Sequence, residues 1–150
     1  LELCGCKFEY SKQFLRIIPN QILNSVNITT DTFPGFPTDL QAPFMALMAT
    51  ANGTSQIKET IFENRMHHVK ELNRMGAKIT VKNNIANVIG VKKLQGKEVI
   101  GSDLRATAAL AIAGLSANGK TIVKGLEHLE RGYENFSEKF QEIGASILKK

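Results

Sequence analysis

The sequence predicts an α/β fold built from a repeated unit, and three observations carry that prediction. A block of residues occurs twice at nearly constant spacing, each copy switches between helical and strand periodicity, and glycine turns punctuate both copies at matching places. In the first copy Thr38-Asp39-Leu40-Gln41-Ala42 leads to Asn52-Gly53, Arg65 and Gly76-Ala77-Lys78-Ile79. In the second, Ser102-Asp103-Leu104-Arg105-Ala106 leads to Asn118-Gly119, Arg131 and Gly144-Ala145-Ser146-Ile147. The offset is 64 residues for the aspartates, 66 for Gly53 and Gly119 and for Arg65 and Arg131, and 68 for Gly76 and Gly144. A unit of this kind buries its apolar face against its neighbours, so two copies imply a larger ring or barrel of units.

Residues 1–30 read as the tail of a preceding unit with a connecting loop, residues 31–96 as one unit, and residues 97–150 as a second unit lacking its last strand. Leu1 is not an initiator methionine, so the chain is expected to begin in mid-domain. Cys4-Gly5-Cys6 has no second pair and no nearby histidine to complete a zinc set. The two cysteines therefore read as strand-turn residues in a reducing compartment, with no metal expected. Phe14 to Ile18 alternates as a strand.

In the first unit Thr38 and Gln41 form a capping-box signature after Pro37, which predicts a helix over 39–51 with Leu40, Phe44, Leu47, Met48 and Ala51 on its apolar face. Asn52-Gly53 supplies a left-handed stop. Residues 56–62 alternate as a half-buried strand with Ile57 and Ile61 on one side. A helix over 69–75 follows, then strands over 78–82 and 87–91 flanking the turn formers Asn83-Asn84, and a strand over 98–100. In the second unit a helix over 104–117 stops at Gly119, a strand covers 121–123, a helix covers 135–143, and one closing strand ends the chain. The unit reads βαβαββ. Met45, Met48, Met66 and Met75 fall where core filler is needed.

With 150 residues, 43% hydrophobic and 22% charged, the chain suits one globular domain and leaves no room for a disordered class. Its net charge of +5 comes from dispersed lysines without interleaved aromatics, so no nucleic-acid partner is expected and a small anionic substrate explains the excess equally well. No run is long and apolar enough for a membrane-spanning helix and no signal sequence is present, so no membrane partner and a cytoplasmic location are expected.

Asp39 and Asp103 each follow a Thr or Ser at a predicted helix start, where backbone N–H groups favour anions. First-turn aspartates are common as mere dipole partners, and a helix end keeps a carboxylate ionised. A base here acts through placement against a substrate hydroxyl more than through a raised pKa. Arg65, Arg105 and Arg131 form the second constellation. Arg65 and Arg131 lie at equal distance from their Asn-Gly turns, and guanidiniums converging on one rim suit a substrate bearing phosphate and carboxylate. Taken singly, each could be a surface ion-pair partner. His67 and His68 stand at a helix entry, where such a pair is more often solvent-facing than a ligand, and no role is assigned to them.

Phe36-Pro37-Thr38-Asp39-Leu40-Gln41-Ala42, Glu59-Thr60-Ile61-Phe62-Glu63-Asn64-Arg65, Glu71-Leu72-Asn73-Arg74-Met75-Gly76-Ala77, Ser102-Asp103-Leu104-Arg105-Ala106 and Arg131-Gly132-Tyr133-Glu134 resemble the UDP-N-acetylglucosamine 1-carboxyvinyltransferases, the enolpyruvyl transferases that open peptidoglycan synthesis. The resemblance covers residues 26–150, with residues 1–25 matching loosely. It implies a two-domain enzyme, each domain an inside-out α/β barrel of three βαβαββ units, of which this chain supplies about two as part of one incomplete domain. The implied reaction moves the enolpyruvyl group of phosphoenolpyruvate to the sugar 3'-hydroxyl through a tetrahedral intermediate that loses phosphate, with no cofactor. By the resemblance Asp39 accepts the hydroxyl proton and Ile61 and Phe62 line the nucleotide-sugar pocket. Arg65, Arg105 and Arg131 hold the anionic groups, and Asp103 is a second carboxylate at the reacting centre, so that Asp39, Asp103 and Arg131 are the catalytic candidates. The family's lysine and its mobile-loop cysteine or aspartate belong to an N-terminal portion for which Cys4 and Cys6 do not stand in. The chain alone is accordingly expected to be inactive and to need that portion as its partner.

The related shikimate-pathway transferase would be expected to show Lys-Glu and His-Arg where this chain has Phe62-Glu63-Asn64-Arg65 and Leu104-Arg105. It remains an alternative. So do a non-catalytic repeat module that only presents a surface and, third, a basic nucleic-acid binder.

Overall fold

The computed structural model describes residues 1–149. An N-terminal ribbon of β1 (Lys7–Tyr10) and β2 (Leu15–Ile18) pairs antiparallel, with Phe8 opposite Ile17. Ahead of it, Cys4 ends a short 3-10 turn and Gly5 adopts φ of 93°. Both cysteines are therefore free, buried residues of a turn before the strand rather than part of it.

The first repeat unit carries α1 (Gln41–Met48), β4 (Thr54–Lys58), α2 (His68–Arg74), β5 (Lys78–Lys82) and β6 (Ile85–Ile89), and its sheet also takes in β3 (Ile28–Thr29), which lies ahead of the boundary read at residue 31. Its strands form one sheet in the order β3-β4-β6-β5, with β3 and β4 parallel and the rest antiparallel. The second contains β7 (Glu98–Ile100), α3 (Leu104–Ser116), β8 (Ile122–Lys124), α4 (Leu126–Glu130) and α5 (Phe136–Glu142), with β7 and β8 parallel. In each unit a helix crosses over between two parallel strands, and these two helices, α1 and α3, pack on each other. Their interface and the sheet beneath bury Met45, Met48, Ile57, Leu72, Met75, Val88, Val99 and Leu110. Small residues on α3, Ala106, Ala109 and Ala113 among them, allow the close approach.

Several boundaries depart from the periodicity. The predicted capping box does not form: α1 starts at Gln41 behind a 3-10 turn, Thr38–Leu40, and has no side-chain cap. The Thr38 hydroxyl is engaged elsewhere, donating to Glu59 Oε2 at 2.9 Å, and Pro43 in the first turn needs no donor. On α3 the cap is Asp103 itself rather than Ser102.

Gly53 and Gly119 keep positive φ, 106° and 81°, yet neither closes its helix directly. Both α1 and α3 end earlier, because Asn52 and Asn118 bridge to Asn24 and Gln95 and draw the chain toward the next strand. Strand β4 stops at Lys58, short of the predicted 62, so Ile61 is not a strand partner of Ile57. The N–H groups of Ile61 and Phe62 turn in to Glu59 Oε1 instead of extending the ladder. Asn83 and Asn84, at φ 49° and 59°, make the tight β5-β6 hairpin and start β6 two residues early. In the second unit α4 occupies a stretch between the predicted strand and helix to which the periodicity assigns no element. The closing strand predicted after Gly144 is absent from residues 145–149, where no neighbouring strand offers it a ladder.

Candidate functional site

The turn that carries Asp39 is held at the mouth of the first unit by its neighbours. Asp39 has no capping duty, and its side chain is 67% exposed. Its Oδ1 accepts from Arg105 Nε at 2.7 Å, lies 2.7 Å from Arg105 Nη2, and accepts more weakly from Arg65 Nη1 at 3.5 Å. Arg105 comes from the first turn of α3 and Arg65 from the loop after β4, so guanidiniums of two repeat units converge on one carboxylate oxygen. Such forked, charge-assisted contacts fix geometry as well as adding attraction. The Arg65 guanidinium carbon also sits 3.8 Å from the centre of the half-exposed Phe62 ring, a cation–π contact that restrains both. Arg65 Nη1 further donates to Thr38 Oγ1 at 3.1 Å.

The structure thus brings Asp39, Phe62, Arg65 and Arg105 together, with Ile61 adjacent in the chain. Asp103 performs a different task from Asp39 despite its matching place in the repeat. Its Oδ1 accepts from Arg105 N–H at 2.9 Å and Ala106 N–H at 3.0 Å, capping α3, while Oδ2 accepts from the Ser102 hydroxyl at 3.2 Å. Burial pushes the Asp103 carboxyl up, but those backbone and hydroxyl donors outweigh it and hold the group below the usual aspartate range. Capping the helix on which Arg105 sits, Asp103 helps aim that guanidinium at Asp39.

Arg131 stands apart. It follows α4, where Arg65 follows an extended loop, and it lines an open cavity of about 530 Å³ with Leu126, Leu129, Tyr133 and Phe136. None of Asp39, Ile61, Phe62, Arg65 and Arg105 lines that cavity, and no ion pair of Arg131 occurs among the described residues. Gly132 packs on the Leu104 side chain and keeps this segment beside the start of α3.

Two buried polar residues escaped the sequence reading. Glu59, 3% exposed, is the hydrogen-bond hub behind the site. The signal was its place two residues beyond Ile57 on the buried face of the alternation. His68, given no role from the sequence, is 2% exposed because it opens α2 against the core, and its Nε2 has no partner among the described residues. Burial, partly offset by the Asp103 charge, drives its pKa from 6.5 down to about 4. Between those values the unfolded chain binds a proton that the folded chain refuses. Stability therefore falls as pH drops through this window, by up to about 3 kcal/mol, and is unaffected by His68 above it. Urea midpoints at pH 7 and pH 4.5 should differ in the parent and differ less in His68→Leu; equal midpoints in the parent would remove the effect.

Known proteins match this chain over most of its length. The family model described as EPSP synthase (3-phosphoshikimate 1-carboxyvinyltransferase) matches residues 1–140. The chain belongs to the EPSP synthase family. Among solved structures, the enolpyruvyl transferase NikO from Streptomyces tendae superposes with a TM-score of 0.88 at 28% identity, covering 97% of this chain and 34% of that one. An EPSP synthase from Acinetobacter baumannii gives a TM-score of 0.72 at 16% identity over 99% of this chain and 36% of its own, which speaks for the fold alone. The fold is accordingly that of the enolpyruvyl transferases, an inside-out α/β barrel represented here in part.

Within the family, the sequence lies close to one branch. It is 57% identical over 147 residues to UDP-N-acetylglucosamine 1-carboxyvinyltransferase 2 of Prochlorococcus marinus, covering 98% of this chain and 34% of that protein. It is also 57% identical over 141 residues to the UDP-N-acetylglucosamine 1-carboxyvinyltransferase of a Nostoc species, covering 94% and 32%. The resemblance read from the five motifs is borne out, and the chain spans about a third of the length of these relatives. No helix among the described residues is long and apolar enough to cross a membrane.

Proposed function

We propose that this chain is the C-terminal portion of a cytoplasmic UDP-N-acetylglucosamine 1-carboxyvinyltransferase, transferring the enolpyruvyl group of phosphoenolpyruvate to the sugar 3'-hydroxyl in peptidoglycan synthesis. The observation that carries the reading is the exposed Asp39 carboxylate held on one oxygen by Arg105 and Arg65. Its second oxygen accepts nothing from the described residues and is free to take a proton. The two guanidiniums that hold it are the type of group that binds phosphate and carboxylate.

In this reading the nucleotide sugar lies along Ile61 and Phe62, with its 3'-hydroxyl at Asp39. As the hydroxyl oxygen bonds to the central carbon of phosphoenolpyruvate, Asp39 takes its proton and the methylene carbon gains one from an acid outside this chain. Arg65, Arg105 and Arg131 hold the anionic groups of substrate and tetrahedral intermediate, which collapses as the methyl carbon returns a proton to a base outside this chain and the C–O bond to phosphate breaks, releasing phosphate. Asp103 is the second carboxylate of the centre, acting from the cap of α3. Arg131 is brought beside the start of α3, which carries Arg105, by the packing of Gly132 on Leu104. The high identity to the nucleotide-sugar branch supports this reading over the shikimate-pathway alternative.

The chain alone is expected to be catalytically silent, and mixing it with the N-terminal portion should restore phosphate release that depends on UDP-N-acetylglucosamine. Equal activity of the chain by itself would refute the split site.

A further inference from the structure

Glu59 collects donors from three segments of the first unit. Its Oε1 accepts from Thr30 Oγ1 at 2.9 Å, from Ile61 N–H at 2.9 Å and from Phe62 N–H at 3.2 Å. Its Oε2 accepts from Thr38 Oγ1 at 2.9 Å, and that same hydroxyl oxygen accepts from Arg65 Nη1. Thr30 in turn fixes the next stretch of backbone, accepting from Thr60 N–H at 2.9 Å. One buried carboxylate therefore ties the end of β4 to the turn before Asp39 and, through one hydroxyl, to an arginine on Asp39. A buried acceptor saturated by four donors tolerates little movement, because each lost partner leaves a desolvated polar group.

We propose that Glu59 is a positioning residue for the proposed transfer: its carboxylate sets the places of Thr38 and Arg65 beside Asp39 and of the Ile61 and Phe62 backbone in the sugar pocket. This inference rests on the activity proposed above. A glutamate serving only to end β4 needs its contacts to the N–H groups of Ile61 and Phe62. The link through Thr38 to Arg65 adds nothing to that task, and it separates positioning from mere structure. In Glu59→Gln the amide can still accept on one atom, but presents N–H to Thr38 Oγ1, which already accepts from Arg65. The Thr38 oxygen can accept from both, but its own O–H loses its acceptor and must reorient, which shifts the oxygen on which the Arg65 guanidinium rests.

The test has two arms. In the complete enzyme carrying this sequence, Glu59→Gln and Thr38→Val should each lower kcat by about tenfold or more, the scale of a misplaced reacting group. Thr38→Ser, which keeps the hydroxyl, should restore it. The double variant Glu59→Gln with Thr38→Val should be no slower than the worse single, since both break one link. Parental kcat in Glu59→Gln, or fully additive losses, overturns the proposal. In the 150-residue chain, Glu59→Ala should speed amide exchange at Ile61 and Phe62 about tenfold relative to amides of β4 and β6. Unchanged rates, or rates rising equally across the sheet, assign Glu59 no positioning role and also overturn it. A parent enzyme without nucleotide-sugar-dependent phosphate release refutes the proposed activity instead, and the exchange arm then decides only whether Glu59 holds the Ile61 and Phe62 backbone.

Discussion

Asp39→Asn in the complete enzyme should lower kcat by on the order of a hundredfold or more while substrate affinity holds, the pattern of a lost general base. The amide keeps an oxygen for Arg105 and Arg65 to bind, so their 2.7 and 3.5 Å contacts have a substitute and the site need not collapse. What disappears is the free oxygen that takes the hydroxyl proton. The substitution also removes a negative charge from between two guanidiniums. The Michaelis constant for phosphoenolpyruvate should consequently stay level or fall, which sets this variant apart from one that merely distorts the pocket. Steady-state phosphate release at saturating nucleotide sugar measures both quantities, and unchanged turnover would take Asp39 out of the mechanism.

The second large effect is expected from the arginines. Lysine keeps the charge of Arg105 but not the fork by which Nε and Nη2 meet a single oxygen at 2.7 Å. Arg105→Lys and Arg131→Lys should each reduce kcat/KM for phosphoenolpyruvate by more than about tenfold if desolvated, charge-assisted bonds hold its anionic groups. An exposed ion-pair partner would lose little. Arg131 is the sharper case, because it has no ion pair among the described residues and so no resting contact to disturb. Values for Arg131→Lys within about tenfold of the parent would return it to the ordinary surface.

The repeat, the crossover helices and the methionine core were legible because each has a period or a spacing. Met45, Met48 and Met75 fall at helical intervals and are buried. Asp39, Arg65 and Arg105, which meet in the structure, all stand within the five motifs. What periodicity hides is competition between side chain and backbone. Thr38 reads as a cap by type and position, but a buried acceptor 21 residues away takes its hydroxyl. Glu59 falls on the buried face of an alternation, a place where a charged residue goes unread until its neighbours' N–H groups are counted, and His68 sits at a helix start where sequence alone does not say which way the ring turns. Helix α4 lies in a short stretch, Leu126–Glu130, too brief for a period to declare itself.

The unequal fates of Asp39 and Asp103 bear on how a duplicated motif diversifies. Both copies inherit an acid at the mouth of a crossover helix, but the demand for a helix cap falls on only one of them. In the second unit that acid is tied to backbone, and any drift there unravels α3. In the first unit a 3-10 turn and a distant glutamate take over the structural duty, so the acid keeps its place without a fixed task. Redundancy of this kind lets one member of a pair double as scaffolding while its twin is left to chemistry alone, and predicts that loss of the second aspartate destabilises the chain more than loss of the first, by about 1 kcal/mol, the worth of a helix cap.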